Sequence, residues 1–292
     1  MKREALQTRL AQRVATLAGK TTGQTKQATK TAVSAGRVGF SKAAQIGRDT
    51  VLPEISRTGS WLRQRTRRER LKQDYRDFLV WLHESVLDVG AESLFFAPTK
   101  GHVPLDSLTI ESGNRAFGHD YRPSPRFVFE WAISAIPEDL GKFSFVDYGA
   151  GKGRVMLLAS QHEFKTIGGM EFAAELHDAA TMNIQQFPRS RMTCRNVECT
   201  LADAAYVGSP EDETIYYFYD PFSREMLAAV LDIITASYHE RPRRLYVVLV
   251  DSGDGDLVMQ TGIFGRFNMS RFDRLRARLL SPYPIAIYRS VA

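Results

Sequence analysis

Cysteine is nearly absent from this chain, Cys194 and Cys199 being the only two among 292 residues. That excludes a disulfide framework and fits a reducing compartment. No run approaches the roughly 18 uninterrupted apolar residues of a membrane-spanning helix, and the N-terminus lacks the apolar middle of a secretory signal. A cytoplasmic protein with no transmembrane segment is expected. The two cysteines have neither the spacing nor the histidine pair of a zinc site. The acidic run Asp251-Ser252-Gly253-Asp254-Gly255-Asp256 lacks the closing glutamate of a calcium loop and reads as a turn. No metal is expected, and no internal repeat is visible. What is present in quantity is apolar residue, 43% of the chain, enough for one full domain and an appendage.

The net charge of +6 is distributed unevenly. Residues 1–74 hold 17 Lys/Arg against 5 Asp/Glu, and the remainder 22 against 28. The basic part would be drawn to an anionic surface, nucleic acid or lipid, whereas the acidic part calls for no polyanionic partner. Residues 1–60 read as a basic, partly disordered arm. From Thr21 to Ile46 there are too few large apolar residues to offset ordering entropy. Ahead of that stretch, Leu6, Leu10, Val14 and Leu17 recur at helical spacing among arginines. This short helix is either a solvated tail or a surface contact.

Residues 61–120 read as a helical lead-in. Arg63, Arg65, Arg67, Arg68 and Arg70 precede Leu71, Tyr75, Phe78, Leu79, Leu82, Val86 and Val89, whose spacing predicts one apolar helix face docked on the main domain. The arginines are either a solvated flank or a phosphate clamp.

Residues 121–292 read as the main domain. Phe143–Asp147, Thr166–Met170, Ile215–Tyr219 and Leu245–Val250 are near-continuous apolar runs, the mark of buried parallel strands, and a further strand is expected around Arg195–Val197. Helical stretches alternate with them at Arg126–Ile136, Arg154–Gln161, Ala173–Gln186 and Arg224–Tyr238. The alternation specifies an α/β fold with a doubly wound, mostly parallel sheet. Leu275–Leu280 and Ile285–Arg289 flank Ser281-Pro282-Tyr283-Pro284 with no room for a crossover, which predicts a C-terminal antiparallel hairpin.

The sharpest local signal is Asp147-Tyr148-Gly149-Ala150-Gly151-Lys152-Gly153, between a strand and a helix. Glycine serves where backbone turns tightly and a ligand approaches closely, and the helix start behind it presents unpaired N–H groups. The spacing differs from the G-x-G-x-x-G of dinucleotide sites and from the Gly-Lys-Ser/Thr of phosphate loops. Here the chain resembles class I S-adenosylmethionine-dependent methyltransferases, over roughly Tyr121 to Arg289.

The resemblance implies a Rossmann-like methyltransferase fold, S-adenosylmethionine as cofactor, and cofactor contacts at Gly149, Gly151 and Gly153. It implies that Asp147 orients the methionine end, that Glu171 at the second strand tip takes the ribose hydroxyls, and that Asp203 meets the adenine amino group. Tyr121-Arg122-Pro123-Ser124-Pro125 looks like the segment covering the amino-acid end, with Arg122 or Arg126 available for its carboxylate, or else a proline-stiffened turn before a helix. Asp220-Pro221-Phe222 stands where amino-methylating relatives hold the acceptor, although it has one proline where base methyltransferases have two. The same residues also fit a helix start, with Asp220 as cap and Pro221 at the first helical position. His119 beside Asp120 is either a base near the cofactor mouth or a surface turn. The expected function is methyl transfer to an unidentified acceptor, an amine being favoured. The alternative is a non-catalytic scaffold working through its basic arm.

Overall fold

The computed structural model describes residues 67, 69–88 and 98–291. Residues 1–66, and with them the arm and its amphipathic segment, lie outside the described residues, as does Val89. The chain divides into two compact units, Met1–Phe78 and Leu79–Ala292.

In the first unit residues 69–78 are helical, with Leu71, Tyr75 and Phe78 exposed. In the second, residues 79–82 are helical and lead into one π-helical turn, His83–Leu87. Within this unit the predicted apolar stripe is corrected. Leu79 and His83 are buried, while Val86 is 52% exposed, because the wider π turn shifts the phase of every side chain after it. His83 holds the turn down, its Nε2 donating to the Leu280 carbonyl at 2.9 Å and its ring meeting Trp131 edge-on.

The second unit is a seven-stranded sheet, β1 Ser144–Tyr148, β2 Thr166–Glu171, β3 Val197–Leu201, β4 Thr214–Tyr219, β5 Leu245–Val250, β6 Phe264–Arg266 and β7 Ile285–Ser290. Its order is β3-β2-β1-β4-β5-β7-β6, and β7 alone runs opposite to the other six. The interleaved helices are α1 Arg126–Ser134, α2 Arg154–Ala159, α3 Ala174–Gln186, α4 Arg224–Glu240, α5 Gly255–Gln260 and α6 Arg271–Leu280. Alternate residues of the central strands serve opposite faces. Phe145, Tyr217 and Val248 pack with Phe129 and Ile133 of α1 and Leu157 of α2, whereas Val146, Tyr216 and Val247 pack with Leu227, Val230 and Ile234 of α4. Strands β1, β4 and β5 are covered on both faces, which is why they read as unbroken apolar runs. This is a doubly wound, Rossmann-like α/β architecture.

The C-terminal antiparallel pair exists but is built differently from the expectation. Leu275–Leu280 is helical, and the strand beside β7 is Phe264–Arg266. The local reason is an N-cap: the Ser270 hydroxyl accepts the Asp273 N–H at 3.0 Å and donates to Asp273 Oδ2 at 2.6 Å, so the Arg/Leu alternation that follows winds as α6.

The strand order reverses between β1 and β4, which diverge to opposite sides at their carboxyl ends. Such a switch point opens a crevice, and the cleft described next lies there.

Candidate active site

A cleft with about 920 Å³ of empty space opens at the carboxyl ends of β1–β4, walled on one side by residues Leu108 to Ser124. Asp147, Gly149, Glu171, Asp203, Tyr121, Asp220, Pro221 and Phe222 all line it. Residues from five separate stretches of chain thus converge on it. Gly151 and Gly153 stand behind the lining and shape the loop instead. All three loop glycines have positive φ, +75°, +55° and +79°. A Cβ on Gly151 would land on the Tyr121 ring, and one on Gly149 would land on the Pro221 ring.

Register explains how the acids meet. Asp147 in β1 pairs with Gly169 in β2, so Glu171 emerges two residues later at the same end of the sheet. Both are buried, 3% and 4% exposed. The Glu171 carboxylate accepts the Gly151 N–H at 2.8 Å and the Ala173 N–H at 2.9 Å. It ties the glycine loop to the start of α3, with acceptor positions left over on each oxygen. Burial raises its pKa, against the lowering effect of those N–H groups. Asp147 is more exceptional: its Oδ2 is buried with no partner, and burial together with the neighbouring Glu171 charge pushes its pKa up to about 8.

Asp203 follows β3. Its Oδ2 accepts from the Ser112 hydroxyl and from Asn114 Nδ2, the latter at 2.7 Å, and its Oδ1 accepts from the Ala205 N–H at 3.0 Å. Ser112 and Asn114 give no sequence signal of this role, because the contact spans about ninety residues of chain. Tyr121 donates from its hydroxyl to the Thr99 carbonyl at 2.6 Å, and Lys152 Nζ lies 5.2 Å from its ring centre. Lys152 itself donates to the Lys100 carbonyl at 2.9 Å, and Arg154 to Asp88 Oδ2 at 2.7 Å. Both loop cations are therefore committed to protein oxygens.

The helix-cap reading of Asp220 is corrected. Helix α4 begins at Arg224 after Ser223, and Asp220 sits in the left-handed region at φ +42°, an excursion aspartate tolerates better than most residues. That turn lays Pro221 against Gly149. Asp220 Oδ2 takes Arg122 Nη2 at 3.2 Å, and Arg122 Nη1 reaches Asp251 Oδ2 at 3.5 Å. Asp251 also has positive φ, +57°. Arg122 thus lies in the cleft and is paired, whereas Arg126 is not among the cleft-lining residues; its N–H donates to Asp88 Oδ2. His119 is at the mouth, as one reading expected, but its partner is Asp220 and not the adjacent Asp120, which holds His102. The cysteines are free, and among the described residues no cluster fit for a metal is found. No described helix is long and apolar enough to cross a membrane.

No family model and no curated protein sequence matches the chain. Solved structures do. The 23S rRNA methyltransferase ErmE is 16% identical, over 58% of this chain and 69% of its own, with a TM-score of 0.39. Magnesium protoporphyrin IX methyltransferase ChlM from Synechocystis PCC 6803, with bound SAM, is also 16% identical, over 56% and 77%, TM-score 0.39. The ribosomal protein L11 methylase from Lactobacillus delbrueckii subsp. bulgaricus is 13% identical, over 55% and 76%, TM-score 0.37. These values are low, and what the cleft can bind follows from its own residues.

Proposed function

We propose that this protein binds S-adenosylmethionine in the cleft and transfers its methyl group to an acceptor amine. The observation that carries the reading is the pair of buried carboxylates, Asp147 and Glu171, beside the glycine loop. A pyrophosphate placed there would meet two carboxyl groups and be repelled as they ionise, with Lys152 and Arg154 both engaged elsewhere. A ligand carrying an ammonium and ribose hydroxyls would instead meet the groups it needs. It would supply the unpartnered Asp147 Oδ2 with donors and draw that carboxyl back to its ionised form.

In this reading Asp147 holds the ammonium, Glu171 the ribose hydroxyls, and Asp203 with Asn114 the adenine end. Bound S-adenosylmethionine supplies an electrophilic methyl group on a sulfonium. The protein's part is to align the attacking nitrogen, exclude water and manage a proton. Asp220-Pro221-Phe222 lines the end of the cleft beyond the loop, where an acceptor would enter. The half-buried Asp220 carboxylate supports an amine there, since Arg122 engages its Oδ2 and acceptor positions remain for an N–H.

Calorimetric titration with S-adenosylhomocysteine and, in parallel, with a nicotinamide dinucleotide tests the cofactor assignment. Micromolar binding of the first and none of the second is expected; the reverse would overturn it. Transfer of labelled methyl from S-adenosylmethionine into a cell extract tests turnover, and binding without transfer would favour a scaffold.

A further inference from the structure

At the mouth of the cleft the chain ahead of α1 runs antiparallel to the chain after β4. The His119 N–H donates to the Pro221 carbonyl at 3.3 Å, the Ser223 N–H to the Phe117 carbonyl at 2.7 Å, and Gly118 faces Phe222 in a bridge. This pairing fixes the position from which the His119 ring projects. Its Nδ1 lies 3.0 Å from the Asp220 carbonyl oxygen and 3.5 Å from Asp220 Oδ2. Both are acceptors, so Nδ1 carries the proton of the neutral ring and the lone pair resides on Nε2. No described residue bonds Nε2, and the ring, 40% exposed, lines the cleft.

We propose that His119 is the proton acceptor of the reaction and that Asp220 is the positioning residue that presents it, the acceptor being an amine that arrives as its ammonium. The inference rests on the methyl-transfer reading and adds the group that activates the nucleophile. The ammonium proton passes to His119 Nε2, which frees the nitrogen lone pair. That pair forms the bond to the methyl carbon while the carbon–sulfur bond breaks, its electrons remaining on sulfur as a neutral thioether. The product leaves as an N-methylammonium, and His119 returns its proton to solvent.

The charged groups around the ring set its pH range. Asp220, on the β4 side, raises the His119 pKa above the ordinary 6.5, while burial and Arg122, on its own segment, oppose it. Asp120 is held away by His102 at 3.1 Å and by the Leu105 N–H at 2.8 Å. The basic form therefore grows as pH rises, over a range above that of an ordinary imidazole.

Two measurements test the proposal. In nitrogen-15 NMR of the full chain, with the resonance assigned by its loss in His119→Gln, neutral His119 is expected to carry its proton on Nδ1. Its pKa should fall in Asp220→Asn. A ring protonated on Nε2, or a pKa unmoved by that substitution, would overturn the proposal without any acceptor in hand. In the extract assay, incorporation by the wild type should rise with pH along a limb that follows the His119 pKa found by NMR. His119→Gln should lower incorporation at least roughly tenfold and abolish that limb. Asp220→Asn should move the limb to lower pH, with S-adenosylhomocysteine affinity changed less than about twofold in both variants. Near-normal incorporation and an unchanged profile in His119→Gln would refute the role of His119 while leaving methyl transfer standing. A wild type that neither binds S-adenosylhomocysteine nor transfers label would overturn methyl transfer itself, and this proposal with it.

Discussion

Asp147 is an acid buried at the tip of a strand, with one oxygen unpartnered and a second carboxylate beside it. Its ordinary pKa of 3.8 is pushed up to about 8. In the ligand-free protein the folded state therefore keeps a proton that the unfolded chain has already lost, so the stability this group contributes is full below the ordinary value. It is lost as pH rises toward about 8. Asp147→Asn, which cannot ionise, should be more stable than wild type at the upper end of that window, with the gap closing at the acidic end. Thermal melts at the two ends check this. Binding of S-adenosylhomocysteine, whose ammonium favours the ionised carboxylate, should strengthen across the same window with proton release. A flat pH dependence would remove Asp147 from the cofactor site.

Gly151 belongs to the same scale. Its φ of +55° costs a side chain roughly 1–2 kcal/mol, and a Cβ there would displace the Tyr121 ring. Gly151→Val should weaken S-adenosylhomocysteine binding at least roughly tenfold by moving the cleft wall, in a protein that still folds. Glu171→Ala should do so by a different route, forfeiting charge-assisted hydrogen bonds of about 1.5–3 kcal/mol. Circular dichroism alongside calorimetry distinguishes lost binding from lost fold.

At the scale of elements, the ion pair Arg154–Asp88 joins the first residue of α2 to the turn after the π helix. The two side chains are only 3% and 6% exposed. The Arg126 N–H and the Thr99 hydroxyl complete the knot. Removing one member strands a buried charge, so Arg154→Met should destabilise by about 3–5 kcal/mol, whereas Arg154→Met with Asp88→Leu should recover most of the loss. Denaturant unfolding of the single and double variants measures both. The sequence shows Arg154 as the residue after a glycine loop, but its partner lies sixty-six residues earlier, beyond the reach of any spacing argument. Helix α6 shows the opposite failure: its signal, Ser270 three residues before Asp273, is local and was legible, but the Leu/Arg alternation after it imitates a strand. An N-cap whose hydroxyl bonds both the N–H and the carboxylate of Asp273 outweighs a short alternating pattern.

At the scale of the whole molecule, the basic and acidic parts make separable predictions. Every cleft-lining residue belongs to the unit Leu79–Ala292. Deleting residues 1–60 should therefore leave S-adenosylhomocysteine affinity intact. It should reduce binding to anionic vesicles or to nucleic acid, and that lost component should be the one weakened by added salt. Calorimetry and vesicle sedimentation on the full-length and truncated proteins test the two halves, and loss of cofactor binding on truncation would show that the arm is part of the site.

The sequence alone determined what depends on neighbours along the chain: the parallel strands, read from runs buried on both faces, the helices between them, and the glycine loop with an acid at its strand tip. It also indicated Glu171, because a strand-end acid one βα unit after the loop is placed by the regular repeat of the fold. Only the tertiary structure decided the partners. Ser112 and Asn114 on Asp203, Arg122 and His119 on Asp220, and Asp88 on Arg154 are brought together across chain separations of 66 to 101 residues. Hydrogen bonds and ion pairs of that range leave no periodicity behind, since they are set by how the sheet twists and where its order reverses. For the same reason the sequence could name the carboxylates of the cleft, but not which of them a cation already holds.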